Sequence, residues 1–360
     1  NPLLQPLTLP CGVTIKNRIA KAAMTERLAD RKQHATKPLE HLYRHWSSNG
    51  AGLLITGNIL VDKRYKEASA NIVLEDKSGL PTLQKMVAAG TQNDTHLWAQ
   101  INHAGRQATI FSTFKPLAPS AIQLKKLMLF ARPKAMSLEQ IADVEKRFIT
   151  TAMLCKQAGF TGVQIHAAHG YLLSQFLSPS TNMRQDEYGG CIENRSRLLL
   201  DIVKGVREEV GSGYPIAVKL NSADFQHGGF NEEDCMRVIE KLEELEIDLL
   251  EISGGTYENL TFLTKRYERE STQKREAYFM DFARKVRIKT KLPLMITGGF
   301  RSRSFCEEVL SNKELEMIGF ARPLLSDRDF PRNFLKDPAS KMEDARVDIT
   351  IKQLNDFFDG

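Results

Sequence analysis

The chain is 360 residues long, 42% hydrophobic and 26% charged, with a net charge of +6 spread along it. Such a chain can bury a large core, and its densest basic patches, Arg31-Lys32 and Lys125-Lys126, are too short for a nucleic-acid arm. No apolar run approaches the ~20 residues of a membrane span, no signal peptide opens the chain, and five scattered cysteines without CxxC spacing favour a reducing compartment, so a cytoplasmic protein is expected.

Taken in order, Leu9 to Val13 with Pro10 and Gly12 predicts a small hairpin or lid ahead of the first strand, Arg18 to Met24, which ends at Thr25-Glu26. Pro38 to Ser48 is expected to be helical, capped by Thr36 and stopped at Gly50. Gly52 to Thr56 is a buried strand closed by Gly57-Asn58, and Leu80 to Asn93 a helix with Pro81 in its first turn. His96 to Ile101 is the third strand, with NHAGRQ as its loop. Ala108 to Met136, with Pro116, Pro119, Pro133 and the run LKKLMLF, breaks this rhythm. A loop of that length in a compact domain is usually functional, and a substrate lid is expected here.

Ser137, with Gln140 three residues on, then caps a helix running to Gly159 in the manner of a capping box. The apolar Val163 to Ile165 forms the fourth strand, followed by a loop from Leu172 to Cys191 and a helix from Glu193 to Val210. Pro215 to Leu220, Asp248 to Ile252, Leu292 to Ile296 and Glu316 to Phe320 are strands five to eight. Helices over Asn231 to Glu246, Glu270 to Thr290 and Ser302 to Leu310 separate them, and a helical tail over 337–360 closes the chain. Eight strand-then-helix units with no linker predict a single-domain (β/α)8 TIM barrel covering residues 1–360.

In such a barrel the residues just past each strand's C-terminal end share one mouth. Those positions hold Thr25, Asn58, Gln100, His166, His169, Tyr171, Lys219, Ser253, Gly298-Gly299 and Ala321-Arg322. Two imidazoles and a phenol leaving one strand can hold a developing oxyanion and deliver a proton. Alternatively, they are hydrogen-bonded loop histidines and a packed tyrosine. The glycine pair lets backbone N–H groups approach an anion, to which Arg322 adds a bidentate charge, at the place where barrels bind phosphate; a plain turn is the other reading. Gln100 and Lys219 flank the fourth strand and suit the pyrimidine-like edge of a flavin, where a positive charge stabilises the anionic reduced form. For Lys219, an interior ion pair or a Schiff base are the alternatives. No GxGxxG follows a strand, which speaks against a Rossmann-held dinucleotide.

The segments KNRIAKAAMT, QINHAGRQA, IHAAHGYLLSQFLSPSTNMRQDEYGGCIENRSR and TGG…IGFARPLL make the chain resemble the old yellow enzyme family, in its NADH:flavin oxidoreductase and ene-reductase branch, over about residues 3 to 336. The resemblance implies bound FMN, with NADH or NADPH as reductant. Ala22, Ala23, Met24 and Thr25 match its first-strand flavin contact, Asn58 and Gln100 match ring contacts, and Gly299, Ala321 and Arg322 match the FMN phosphate site, with Gly298 beside them. His166 and His169 match the pair that grips a carbonyl or nitro oxygen, and Tyr171 matches the proton donor. The chain departs from the family where Ala23 replaces a frequent proline, Lys219 a frequent arginine and Thr25 a cysteine found in some members. Only Cys306 lies beyond residue 300, so no iron–sulfur cluster is expected there.

These features together predict a ping-pong oxidoreductase acting on a small electrophilic alkene or quinone, with no nucleic acid, membrane or metal involved and a homo-oligomer compatible with it. Two rivals are a metal-dependent barrel hydrolase with His103, His166 and His169 as ligands, and a non-catalytic flavin-binding protein. His103 and Arg106 are expected to brace their loop, and Asp186, Glu187 and Tyr188 to brace a lid.

Overall fold

In the computed structural model, residues 1–125, 128–253, 280–300, 302–327 and 329–337 are described. Gly254-Gly255, the first part of the helix expected over Glu270 to Thr290 and all but the first residue of the expected tail over 337–360 lie outside them.

Eight parallel strands run in sequence order: β1 (Ile19–Lys21), β2 (Leu53–Leu60), β3 (His96–Asn102), β4 (Gly162–Ala167), β5 (Ile216–Asn221), β6 (Leu249–Ser253), β7 (Leu294–Thr297) and β8 (Met317–Phe320). Ile19–Lys21 pairs with β2 on one side and β8 on the other, so the sheet closes into a barrel. The crossovers are helical, with α1 (Lys37–Ser47), α2 (Leu80–Gly90) and α3 (Leu138–Ala158) covering the first half. The capping box on α3 is formed, Gln140 N–H donating to Ser137 and the Ser137 N–H to the Gln140 side chain. Thr36 stands at the start of α1 but makes no side-chain cap, its hydroxyl donating to Leu28 O instead at 2.7 Å.

Alternate strand residues point inward, and this period of two builds the interior in layers. Ala20, Ile55, Trp98, Ala217, Leu249, Met295 and Met317 form an apolar floor. The predicted hairpin pairs Leu7–Thr8 with Thr14–Ile15 and lids this N-terminal end, with Leu7, Leu9 and Ile15 packed on the floor. Asp248 ties it there, accepting from the Cys11 and Ile216 N–H groups at 2.8 Å each and from Arg207 at 2.7 Å. Burying each large floor side chain stabilises the barrel by about 1.5–3 kcal/mol.

Two residues further along the strands the interior turns polar, and this polar layer is the base of the mouth. The long loop after β3 is not featureless. Leu117–Ala118 pairs with Lys134–Ala135, and Thr109 bridges Phe130. Strand β2 differs from expectation: it runs through Gly57-Asn58 to Leu60, with a register shift against β3 between Ile55 and Asn58. A bulge of this kind re-aims a side chain without ending the strand. Gly57 is required by the close approach of the segment after β1, because a Cβ there would lie 2.4 Å from Met24 O and 2.7 Å from Thr25 Cα. Gly57→Ala is therefore expected to destabilise the fold by about 1–3 kcal/mol, read as a lowered denaturation midpoint; an unchanged midpoint would contradict the packing described.

Candidate active site

Strand β4 delivers the most distinctive group. His166 is its penultimate residue, and the chain then turns through His169 (φ 59°) and Gly170 (φ 75°), two successive left-handed residues. Such a backbone costs about 1–3 kcal/mol at a non-glycine residue and persists only where neighbours hold it. Here the His169 N–H donates to Asn221 Oδ1 at the end of β5 (3.2 Å), and the ring Nε2 lies 2.6 Å from Ser253 Oγ at the end of β6. The turn brings three rings together: His166 is 5.3 Å from His169 and 4.9 Å from Tyr171, centroid to centroid, both edge to face. Burial holds His166 and His169 well below the ordinary imidazole pKa; Lys219 adds to this for both, and His169 for His166. Both rings are therefore neutral, and each carries one N–H donor.

Below them lies the polar layer. Lys219 Nζ is 3.0 Å from Glu251 Oε1, and both side chains are buried. Gln164 Nε2 donates to the other Glu251 oxygen at 2.7 Å, and the Thr297 hydroxyl donates to Oε1 at 2.6 Å. Lys219 is thus ion-paired inside the barrel. Glu251 escaped sequence reasoning, although an acid inside the apolar run DLLEI was the available signal.

On the opposite side, the end of β1 carries Ala22 to Thr25. The Ala22 N–H donates to Phe320 O at 2.8 Å, locking this segment to β8. Behind it the buried Lys21 donates to Ile55 O (2.8 Å) and Ala22 O (3.1 Å), with its ammonium 4.4 Å from the Trp46 ring; burial pulls its pKa down to about 8. Glu26 accepts from Tyr43 Oη and, at 3.0 Å, from the Gly57 N–H. Thr25, Asn58 and Gln100 join in one chain: Gln100 Nε2 donates to Asn58 Oδ1 (2.7 Å), Asn58 Nδ2 to Glu67 (2.8 Å), and the Thr25 hydroxyl to Glu67 (2.7 Å). Glu67, in the loop after β2, was also missed, and nothing in the sequence singles it out.

The remaining predicted residues meet at the ends of β7 and β8. Gly298 and Gly299 have φ of 85° and 88°, and the Gly298 N–H reaches Gly319 O at 3.2 Å. Nothing lies within 4 Å of where a Gly298 Cβ would stand. Ala321 and Arg322 follow β8 and are half-buried, Arg322 at the start of the short helix Pro323–Ser326. Two adjacent strand ends thus lead into a glycine pair and into Ala321-Arg322.

His103 is buried against Tyr65 (5.1 Å between centroids), its Nδ1 accepting from the Gly105 N–H at 3.0 Å. Arg106 donates to Ile122 O at the root of the long loop. Among the described residues, no three His, Cys, Asp or Glu side chains are grouped to hold a metal ion. No described helix is long and apolar enough to cross a membrane. A cavity of about 320 Å³ opens at the opposite, N-terminal end, lined by Cys11, Arg207, Asp248 and Lys291. Arg207 and Asp248 there are paired with each other, and that end of a barrel serves stability.

The donors at the mouth fit FMN. Gln100 Oε1 is a buried acceptor without a partner, suited to an imide N–H. Lys219 supplies a cation at the same level, and the glycine pair with Arg322 suits a phosphate.

Comparison with known proteins agrees. Residues 2–339 match the model of the NADH:flavin oxidoreductase / NADH oxidase family. An NADH-dependent flavin oxidoreductase of Hypocrea jecorina is 34% identical over 95% of this chain and 91% of its own length. One from Neonectria sp. is 32% identical over 97% of this chain, which spans only half of that relative. Among solved structures, an old yellow enzyme homologue from Zymomonas mobilis superposes with a TM-score of 0.79 at 25% identity, covering 94% of both chains. The chain belongs to the NADH:flavin oxidoreductase / NADH oxidase family, of old yellow enzyme type, whose cofactor is FMN and whose reductant is a reduced nicotinamide.

Proposed function

We propose that the protein reduces electron-poor alkenes such as enones and nitroalkenes, with quinones as related acceptors, in a ping-pong reaction at the barrel mouth. The observation that carries this is the meeting of His166, His169 and Tyr171 above the polar layer. FMN, when bound there, would supply hydride chemistry, with NADH or NADPH as its reductant. Ala22 to Thr25, Asn58, Gln100 and Lys219 would hold its ring system, and Gly298, Gly299, Ala321 and Arg322 its phosphate.

His166 and His169 donate N–H bonds to the substrate's carbonyl or nitro oxygen, where negative charge grows as hydride arrives. A donor in this role contributes about 2.7–4 kcal/mol. Tyr171 delivers the proton to the α-carbon. A phenol, of pKa ~10, is a weak acid, and its value lies in placement, about 10²–10⁴-fold in rate.

The loop over 108–136 acts as a lid that selects the substrate. It contains Lys115, Lys125, Lys126, Arg132 and Lys134 and no acid, and so carries five of the chain's six net positive charges. Phe111 (84%), Phe114 (77%) and Met128 (93%) stand exposed on it. Apolar faces among cations favour an apolar substrate with an anionic group.

Tyr171→Phe is expected to slow alkene reduction by about 10²–10⁴-fold in stopped-flow measurements while leaving cofactor reduction by the nicotinamide intact; equal loss in both half-reactions would refute the proton-donor role. The buried imidazoles also set a pH dependence. Burial pushes the His103 pKa down to about 4, against about 6.5 when unfolded. Between those values the unfolded chain binds the proton and the folded chain does not, so stability is complete above pH ~6.5 and falls towards pH ~4, by about 3 kcal/mol for this residue. His166 and His169 act in the same direction. His103→Asn, whose oxygen can take over the bond from the Gly105 N–H, should show a shallower loss in denaturant titrations across that window; an identical slope would count against His103.

A further inference from the structure

We propose that Glu67 is a positioning residue that fixes the hydrogen-bond polarity of the cofactor-facing groups Thr25, Asn58 and Gln100. The inference rests on the placement of FMN at the mouth given above and adds a residue to it.

A carboxylate can only accept hydrogen bonds. Glu67 Oε2 takes one from Asn58 Nδ2 at 2.8 Å, and Oε1 takes one from the Thr25 hydroxyl at 2.7 Å and one from Asn71 Nδ2 at 3.1 Å. Asn71 is independently oriented, because its Oδ1 accepts from the Ala68 N–H at 3.0 Å. Each donor on Glu67 therefore has a single sense. Since the Asn58 nitrogen is spent on Glu67, its oxygen must face Gln100, and it receives Gln100 Nε2 at 2.7 Å. Gln100 is then left with its oxygen as the outstanding atom, buried and without a protein partner. A buried acceptor without a partner is unfavourable until a donor arrives. The imide N–H of an isoalloxazine is such a donor.

The same logic fixes Thr25. Its one hydroxyl proton is committed to Glu67, so towards the mouth it offers only lone pairs. A threonine at this strand end could otherwise turn its proton towards the mouth. Glu67 also leaves a negative charge next to the site, which disfavours the anionic reduced form of the cofactor relative to the oxidised form.

Glu67→Gln keeps the shape but removes the fixed sense: its new NH2 can donate, and Asn58 and Gln100 are then free to reverse. Adding Asn58→Asp to that variant restores an acceptor-only group one step along the chain. The carboxylate introduced by N58D would take one bond from the E67Q amide and one from Gln100 Nε2, forcing the Gln100 oxygen outward again. Two readouts on purified protein test this. The first is the ratio of affinities of the apoprotein for FMN and for N3-methyl FMN, which lacks the imide N–H. The second is the midpoint potential of the bound cofactor.

Wild-type protein should prefer FMN about tenfold or more, as befits one buried hydrogen bond. E67Q should lose most of that preference and raise the potential by about 30 mV, a tenfold change for a two-electron couple. The E67Q/N58D pair should recover both. Damage that is merely structural predicts the opposite, a double variant worse than the single one. The proposal is overturned if E67Q keeps the wild-type preference, or if the double variant, folded or not, fails to recover it. A wild-type protein that takes up no FMN would instead sink the placement of the cofactor itself.

Discussion

Half-way up the barrel one buried ion pair, Lys219 with Glu251, divides an apolar floor from a reactive rim. The pair is expensive to bury and is stable only because Gln164 and Thr297 occupy the remaining acceptor positions of the carboxylate. Removing either partner alone would strand the other charge, at a cost of about 3–5 kcal/mol. With both in place, the barrel interior holds a positive group at the level of the ring contacts without leaving it unpaired. That cation also reinforces burial in keeping His166 and His169 neutral, so it acts on both halves of the mouth.

Above this layer the functional groups are set by departures from regular strand geometry. Strand β2 bulges at Gly57 and turns Asn58 towards Gln100. The end of β4 passes through two left-handed residues and folds His169 and Tyr171 back over His166. The end of β7 carries two left-handed glycines, next to the strand end that leads into Arg322. Away from the mouth the capping box of α3 forms as its sequence predicts, whereas Thr36 leaves α1 without a side-chain cap. These three irregularities at the mouth set where the chain turns and so which groups it offers there.

Much of this was legible in the sequence. The eight strands could be read because parallel strands buried on both faces are short apolar runs, and the His166, His169 and Tyr171 group because its members lie within six residues of one another. Gln100 and Lys219 stood out as polar residues inside such runs. Glu251 carried the same signal and was passed over, since its partner lies 32 residues away on another strand. The continuation of β2 was hidden because Gly57-Asn58 reads as a turn unless the approach of Met24 and Thr25 is known. Glu67 was invisible: its importance comes wholly from Thr25, Asn58 and Asn71 converging on it in space. Sequence pattern reports what a residue's own element requires of it, and the convergence of loops from different strands lies beyond that.

On the proposed function, the floor, polar layer and rim together hold a redox-active flavin that a nicotinamide can reach. An anaerobic spectral titration of the purified protein tests it most directly. A yellow protein, or an apoprotein that turns yellow on adding FMN, should bleach stoichiometrically with NADH or NADPH and regain its colour when an enone is added. A protein that binds no FMN, or whose bound flavin stays oxidised in excess of both nicotinamides, would contradict the account.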